Sequence, residues 1–115
     1  MLIKYKSSWK KIAMGLISFM PGEKDIKKLQ ETIERYEQDS NWDLYLWKQE
    51  DIVGIIGIRL LNDGKAELCH LSVNPSFRHE GIGKKMVDAV KRVTKSELIP
   101  NENTKDFFIT CEMKE

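Results

Sequence analysis

Two stretches of this chain carry residue types whose spacing can do chemistry. The first is the loop Asn74-Pro75-Ser76-Phe77-Arg78-His79-Glu80-Gly81-Ile82-Gly83-Lys84, which runs into an apolar-periodic segment. Glycine admits close backbone approach and positive φ. The first turn of a helix presents unpaired N–H groups and the positive end of its dipole, so it accepts anions. Arg78 and Lys84 add charge-assisted donors for phosphate oxygens. A P-loop would need glycine where Arg78 stands and a hydroxyl where Lys85 stands. A dinucleotide fingerprint would need a third glycine at Met86. What remains is R-x-x-G-x-G ahead of a helix, read as a diphosphate cradle; the plainer reading is a tight turn. The second stretch is Ala66–Val73, with Glu67 and His70 as candidate general bases. Their plainer readings are a salt-bridged surface glutamate and a hydrogen-bonded strand histidine. Strand alternation puts Glu67, Cys69, Leu71 and Val73 on one face and His70 and Ser72 on the other, unless a bulge breaks the count. Cys69 reads as a small buried strand residue rather than a nucleophile. Trp42 and Trp47 read as sheet packing, and His79 as a loop residue contributing its backbone.

The elements that must position these residues follow from periodicity. Residues 1–5 suit a short strand. A helix from Ser7 or Ser8 to about Met20 carries Trp9, Ile12, Ala13, Leu16 and Met20 at helical spacing, ended by Pro21-Gly22. A second helix, about 23–38, has Ile26, Leu29, Ile33 and Tyr36 on one stripe and a charged opposite face. The period then changes to two. Strands are expected around 44–47, 52–61 and 66–73, with Asn62-Asp63-Gly64 as a hairpin turn. These three form an antiparallel meander that Asn74-Pro75 stops. A helix over about 83–95, a brief strand at 98–99 and a helix at about 104–111 complete the order. Two strands flanking a helix imply a parallel pair, and therefore a mixed sheet.

Composition bounds the function. The chain has 115 residues, with 19 Lys and Arg against 18 Asp and Glu, a net charge of +1. One domain over residues 1–115 is expected. A nucleic-acid module would show a basic excess, so nucleic acid is disfavoured. The two cysteines have no ligand spacing, so no metal site is expected. The apolar run 12–20 after four lysines lacks a cleavage site and is too short to cross a bilayer. A cytoplasmic protein without a membrane partner is the expectation.

The run His70 to Met86, H-L-S-V-N-P-S-F-R-H-E-G-I-G-K-K-M, resembles motif A of the GNAT family of N-acetyltransferases. In that family a strand ending in an L-x-V-like segment leads through a short turn and R/Q-x-x-G-x-G/A into a helix. The match is strong over residues 66–95, and the order of elements follows the family along nearly the whole chain. The N-terminal half and motif A are most similar to a small acetyltransferase-like protein associated with riboflavin biosynthesis genes. The resemblance implies an α/β, three-layer acyl-CoA N-acyltransferase (GNAT) fold with a mixed, mostly antiparallel sheet, short at its C-terminal end. It implies acetyl-CoA as cosubstrate. The diphosphate would rest on Arg78 and the amides of His79, Glu80, Gly81, Ile82, Gly83 and Lys84. The pantetheine arm would lie along Leu71, Ser72 and Val73, where the parallel strands splay apart.

Asn101, Thr104, Phe107 and Phe108 follow the family's N-x-x-A-x-x-L-Y spacing. The resemblance places Asn101 and Phe108 at the cofactor. It puts phenylalanine where the family often has a proton-donating tyrosine. Family domains continue into two further strands, so an open acceptor site, or a homodimer covering the edge, is expected. The implied function is acetyl transfer to a primary amine of a small molecule, linked to riboflavin metabolism. The alternative is a weak or silent acyl-CoA-binding module with a regulatory or interaction role.

Overall fold

The computed structural model describes residues 1–20 and 22–113; Pro21, expected to help end the first helix, lies outside the described residues. The order is β1 (Leu2–Lys4), a 3-10 turn (Ser7–Trp9), α1 (Lys10–Ile17), α2 (Ile26–Gln38), β2 (Trp42–Lys48), β3 (Ile52–Leu60) and β4 (Lys65–Val73). A second 3-10 turn (Pro75–Phe77), α3 (Ile82–Thr94), β5 (Glu97–Pro100) and α4 (Lys105–Met113) complete it. The strands form one five-stranded sheet in the order β1-β2-β3-β4-β5. Every pairing is antiparallel except β4 with β5, the mixed sheet that a crossover through α3 requires.

Period-two alternation splits the apolar residues between two cores, one on each face. Leu44, Leu46 and Ile55 pack under α1 and α2 with Ala13, Ile17, Leu29, Ile33 and Tyr36. Ile56, Ile58, Leu68, Leu71 and Val73 pack under α3 with Ile82, Met86, Val87 and Val90. This is the three-layer arrangement, with α4 joining the second layer through Cys111. Helix α2 begins where Asp25 accepts the Lys27 amide at 3.0 Å. Helix α1 is shorter than its periodicity suggested, because its first turn is 3-10.

Two irregularities shape the sheet on either side of Cys69. In β4, Leu68 pairs with Ile58 and His70 with Gly57, leaving Cys69 with no partner on β3. This is a bulge. In the parallel pair, Leu68 opposite Pro100 is the last register. From Cys69 onward the outer edge of β4 faces no strand among the described residues.

Candidate functional site

Motif residues frame a cleft of about 440 Å³ between the free edge of β4, the start of α3 and one face of α4. Its lining includes Leu71, Ser72, Val73, Arg78, His79, Gly81, Ile82, Gly83 and Lys84 from the predicted set. Glu80 belongs to the same turn but not to the lining. Asn103, Phe107, Thr110 and Cys111 close the α4 side, and Phe19 and Met20 close the end nearest α1.

The loop folds as an anion cradle through its backbone. Gly81 caps α3 in the left-handed region, at φ 77°. His79 is also left-handed, at φ 68°, where a residue with a Cβ is strained. The first helical bond at this end runs from the Lys85 amide to the Gly81 carbonyl, at 3.1 Å. The amides of residues 79–84 have no acceptor among the described residues. Lys84 pairs with Asp88 at 3.5 Å and stays partly exposed at the rim. Free amides, a helix start and a cation together fit a diphosphate.

The free edge of β4 fits an extended, amide-bearing ligand. The Asn74 amide donates to Val53 on β3 at 2.8 Å, so the Val73 carbonyl faces the opposite, open edge. By alternation the polar groups of Leu71 face the same way. One of these groups is already occupied: Arg78 Nε donates to the Val73 carbonyl at 3.1 Å. Arg78 therefore ties the loop to the strand, and only the rest of its guanidinium is left for a ligand.

Gly83, which lines the cleft, also has a packing reason beside the one its motif suggests. A Cβ there would lie 2.7 Å from Cys111 Sγ and 2.9 Å from the Phe107 ring, so the glycine lets α4 close onto α3. Asn101 and Phe108 also sit elsewhere than expected, since neither lines the cleft. The Asn101 side chain accepts the amides of Asn103 and Thr104 at 2.9 and 3.1 Å, capping α4, and donates to Glu67 at 3.1 Å. Thr104 Oγ1 donates to the Leu68 carbonyl at 2.9 Å, at the point where β5 leaves β4. Phe108 packs on the core under Lys91, whose ammonium lies 5.7 Å from the ring centre. Phe107, its neighbour, takes the cleft position.

On β4 the bulge at Cys69 changes the expected faces. Glu67 and His70 lie on the α1–α2 side together, instead of on opposite faces, because the extra residue between them resets the alternation. Glu67 is committed on both oxygens, to Arg59 at 2.7 and 3.1 Å and to Asn101 at 3.1 Å. The Arg59 hydrogen bonds hold its carboxyl below the ordinary range. Such a carboxylate is a poor proton acceptor. Burial pushes the Cys69 thiol up to about 12, far from a reactive thiolate.

His70 is buried, and its Nδ1 meets the Tyr36 hydroxyl at 2.5 Å. Its Nε2 faces Glu23 Oε1 at 3.9 Å. Burial lifts the Tyr36 phenol well above its ordinary value, so it is a neutral hydroxyl. The neighbouring His70 imidazole, with Lys28 beside it, holds the buried Glu23 carboxyl below the ordinary range. Gly57 makes this cluster fit, since a Cβ there would overlap the Tyr36 hydroxyl. Sequence reading missed both Glu23 and Tyr36. Tyr36 looked like one more member of an apolar stripe, and Glu23 like a charged residue next to a turn. The one sequence signal of this close approach is Gly57, which interrupts an aliphatic strand.

The fold has counterparts among known proteins. A family profile described as "Acetyltransferase (GNAT) family" matches residues 9–108. A Bacillus methanolicus protein described as an uncharacterized N-acetyltransferase in the lysA 3' region is 55% identical over 115 residues, spanning 98% of this chain and 96% of that relative. The aminoglycoside acetyltransferase AAC(6')-Iy, solved with the bisubstrate analogue CoA-S-monomethyl-acetylneamine, superposes with a TM-score of 0.76 at 17% identity, over 100% of this chain and 90% of that one. The 6'-N-acetyltransferase AAC(6')-IG from Acinetobacter haemolyticus gives 0.77 at 12% identity, over 100% and 91%. At such identities the likeness is one of fold.

Proposed function

The chain belongs to the acetyltransferase (GNAT) family, and we propose that it transfers an acetyl group from acetyl-CoA to the primary amine of a small molecule. One observation carries this reading: among the described residues, a strand edge without a partner leads into a helix start whose amides have no acceptor, along one cleft. A ligand with a diphosphate at one end and peptide-like amides along its length matches both halves. When bound, it supplies an activated acetyl thioester. The amides of residues 79–84 and Lys84 hold the diphosphate, and Leu71 and the Val73 amide hold the arm. His70 is the general base, since the oxygens of Glu67 are engaged by Arg59 and Asn101.

The acetylneamine portion of the analogue bound to AAC(6')-Iy is amine-derived. That favours an amine acceptor here. A role beside riboflavin metabolism, as in RibT-like proteins, rests on the resemblance of the N-terminal half and motif A. A homodimer would cover the outer edge of β5, although that edge is short and ends in Pro100. Phe108 supports the second reading, a silent acyl-CoA-binding module, because it has no proton to give.

Titration calorimetry with acetyl-CoA tests the shared claim. Micromolar binding is expected, weakened by about tenfold in Lys84→Glu, which turns a charge-assisted donor into a repelling carboxylate. No heat of binding would end the proposal. Thiol release across a panel of primary amines then separates an enzyme from a silent module.

A further inference from the structure

We propose that Glu23 and His70 together seat the acceptor's amino group, Glu23 as its buried counter-ion and His70 as the group that takes its proton, with Tyr36 positioning the imidazole. This rests on the acetyltransferase reading and assigns the amine end of that site.

The first observation is an incomplete pair. Glu23 Oε2 is buried and has no hydrogen-bond partner among the described residues, and the Glu23 side chain is 6% exposed. A buried carboxylate oxygen without a donor is costly and calls for one. Its other oxygen lies 3.9 Å from His70 Nε2, too far for a direct hydrogen bond. An ammonium group brings three donors and a positive charge. The protein already shows this chemistry once, because Lys28 Nζ sits 3.5 Å from Glu23 Oε1.

The second observation is the direction of approach. Neither Glu23 nor His70 lines the coenzyme cleft, yet both adjoin it. The Glu23 amide donates to the carbonyl of Met20, a lining residue, at 3.2 Å. His70 lies two residues before Ser72, another lining residue, where the open edge of β4 begins. Two substrates must meet at one strand from different sides, and the α1–α2 face is the side left over.

The protons balance in a simple order. With Nδ1–H directed at the Tyr36 oxygen, the Nε2 lone pair takes one proton from the ammonium. The freed amine nitrogen forms the C–N bond to the acetyl carbon as the C–S bond breaks. The nitrogen's second proton leaves with the sulfur as thiol, and His70 returns its own proton to solvent. The other titratable or charged groups around this cluster are Arg35 and Lys28 from α2 and Cys69 and Glu67 from β4. Glu67 is neutralised locally by Arg59.

Nitrogen NMR of the imidazoles in the full chain tests this without knowing the acceptor, since the chain has only two histidines, His70 and His79. Methylammonium chloride is expected to shift the His70 ring signals, whereas tetramethylammonium chloride at equal ionic strength is not. Glu23→Gln should abolish the response and Glu23→Asp should retain it. Tyr36→Phe should change the His70 tautomer ratio. With any amine that turns over, Glu23→Gln should raise the amine KM by about tenfold. His70→Gln should lower kcat by on the order of 10²-fold and remove the acidic limb of its pH profile. Acetyl-CoA affinity should stay constant in all of these. A His70 signal unmoved by methylammonium, an aspartate variant behaving like the glutamine one, or an unchanged amine KM in Glu23→Gln would overturn the proposal. Loss of acetyl-CoA binding by the unaltered chain would instead sink the acetyltransferase reading, which the methylammonium titration does not depend on.

Discussion

At the scale of single residues, the environment separates groups that look alike on paper. Glu23 and Glu67 are both glutamates on the α1–α2 side of the sheet, yet both oxygens of Glu67 are hydrogen-bonded while one of Glu23 has no partner among the described residues. Both carboxyls are held below the ordinary range, Glu67 by its hydrogen bonds to Arg59 and Glu23 by the neighbouring His70 imidazole. A depressed carboxyl pKa adds stability above the unfolded value near about 4.3, and that stability disappears as pH falls through the folded value. Urea midpoints are therefore expected to fall on going from neutral pH into the acid range below about 4. Glu67→Gln should flatten part of that slope. Equal slopes in variant and parent would show that the Arg59 contact does not couple to folding. Phe108 yields a second expectation at this scale. Its ring packs on the core instead of lining the cleft, so restoring the family's hydroxyl with Phe108→Tyr should not raise kcat in a thiol-release assay. A clear rise would mean that α4 presents this position to the reacting atoms.

At the scale of elements, glycines decide how helices meet the sheet and each other. Gly57 leaves room for the Tyr36 hydroxyl on β3, and so for the contact that joins α2 to His70. Gly57→Ala is expected to cost about 1–3 kcal/mol in chemical denaturation, the usual penalty for overpacking, and to disturb the His70 tautomer. A neutral substitution would mean that α2 moves aside freely. Gly83 plays the equivalent part between α3 and α4. A bulky residue there would displace α4 as well as alter the cradle, which is why Lys84 is the cleaner probe of ligand binding. The bulge at Cys69 is the third device. It turns Glu67 onto the side of His70 and lies where β5 parts from β4.

At the scale of the whole molecule, the cleft runs between β4 on one side and α3 and α4 on the other, so a ligand filling it joins parts that otherwise touch along one boundary. Acetyl-CoA at a hundred times its dissociation constant should add about 2.7 kcal/mol of stability and raise the melting temperature by several degrees. An unchanged melting temperature under those conditions would contradict binding to the folded state. Much of this organisation is legible in the sequence. Helical and strand periods, the Asn62-Asp63-Gly64 turn and the Arg78–Gly83 spacing are local properties, and local sterics and hydrogen bonding enforce them without help from distant residues. They determined the element order, the mixed sheet and the glycine loop ahead of α3. The face on which Glu67 lies, the engagement of Arg78 with Val73, the placement of Phe107 rather than Phe108 in the cleft, and the meeting of Glu23, Tyr36 and His70 were decided by tertiary structure alone. Each depends on a bulge or on a contact between residues far apart in the chain. Such contacts arise from packing, which periodicity does not encode.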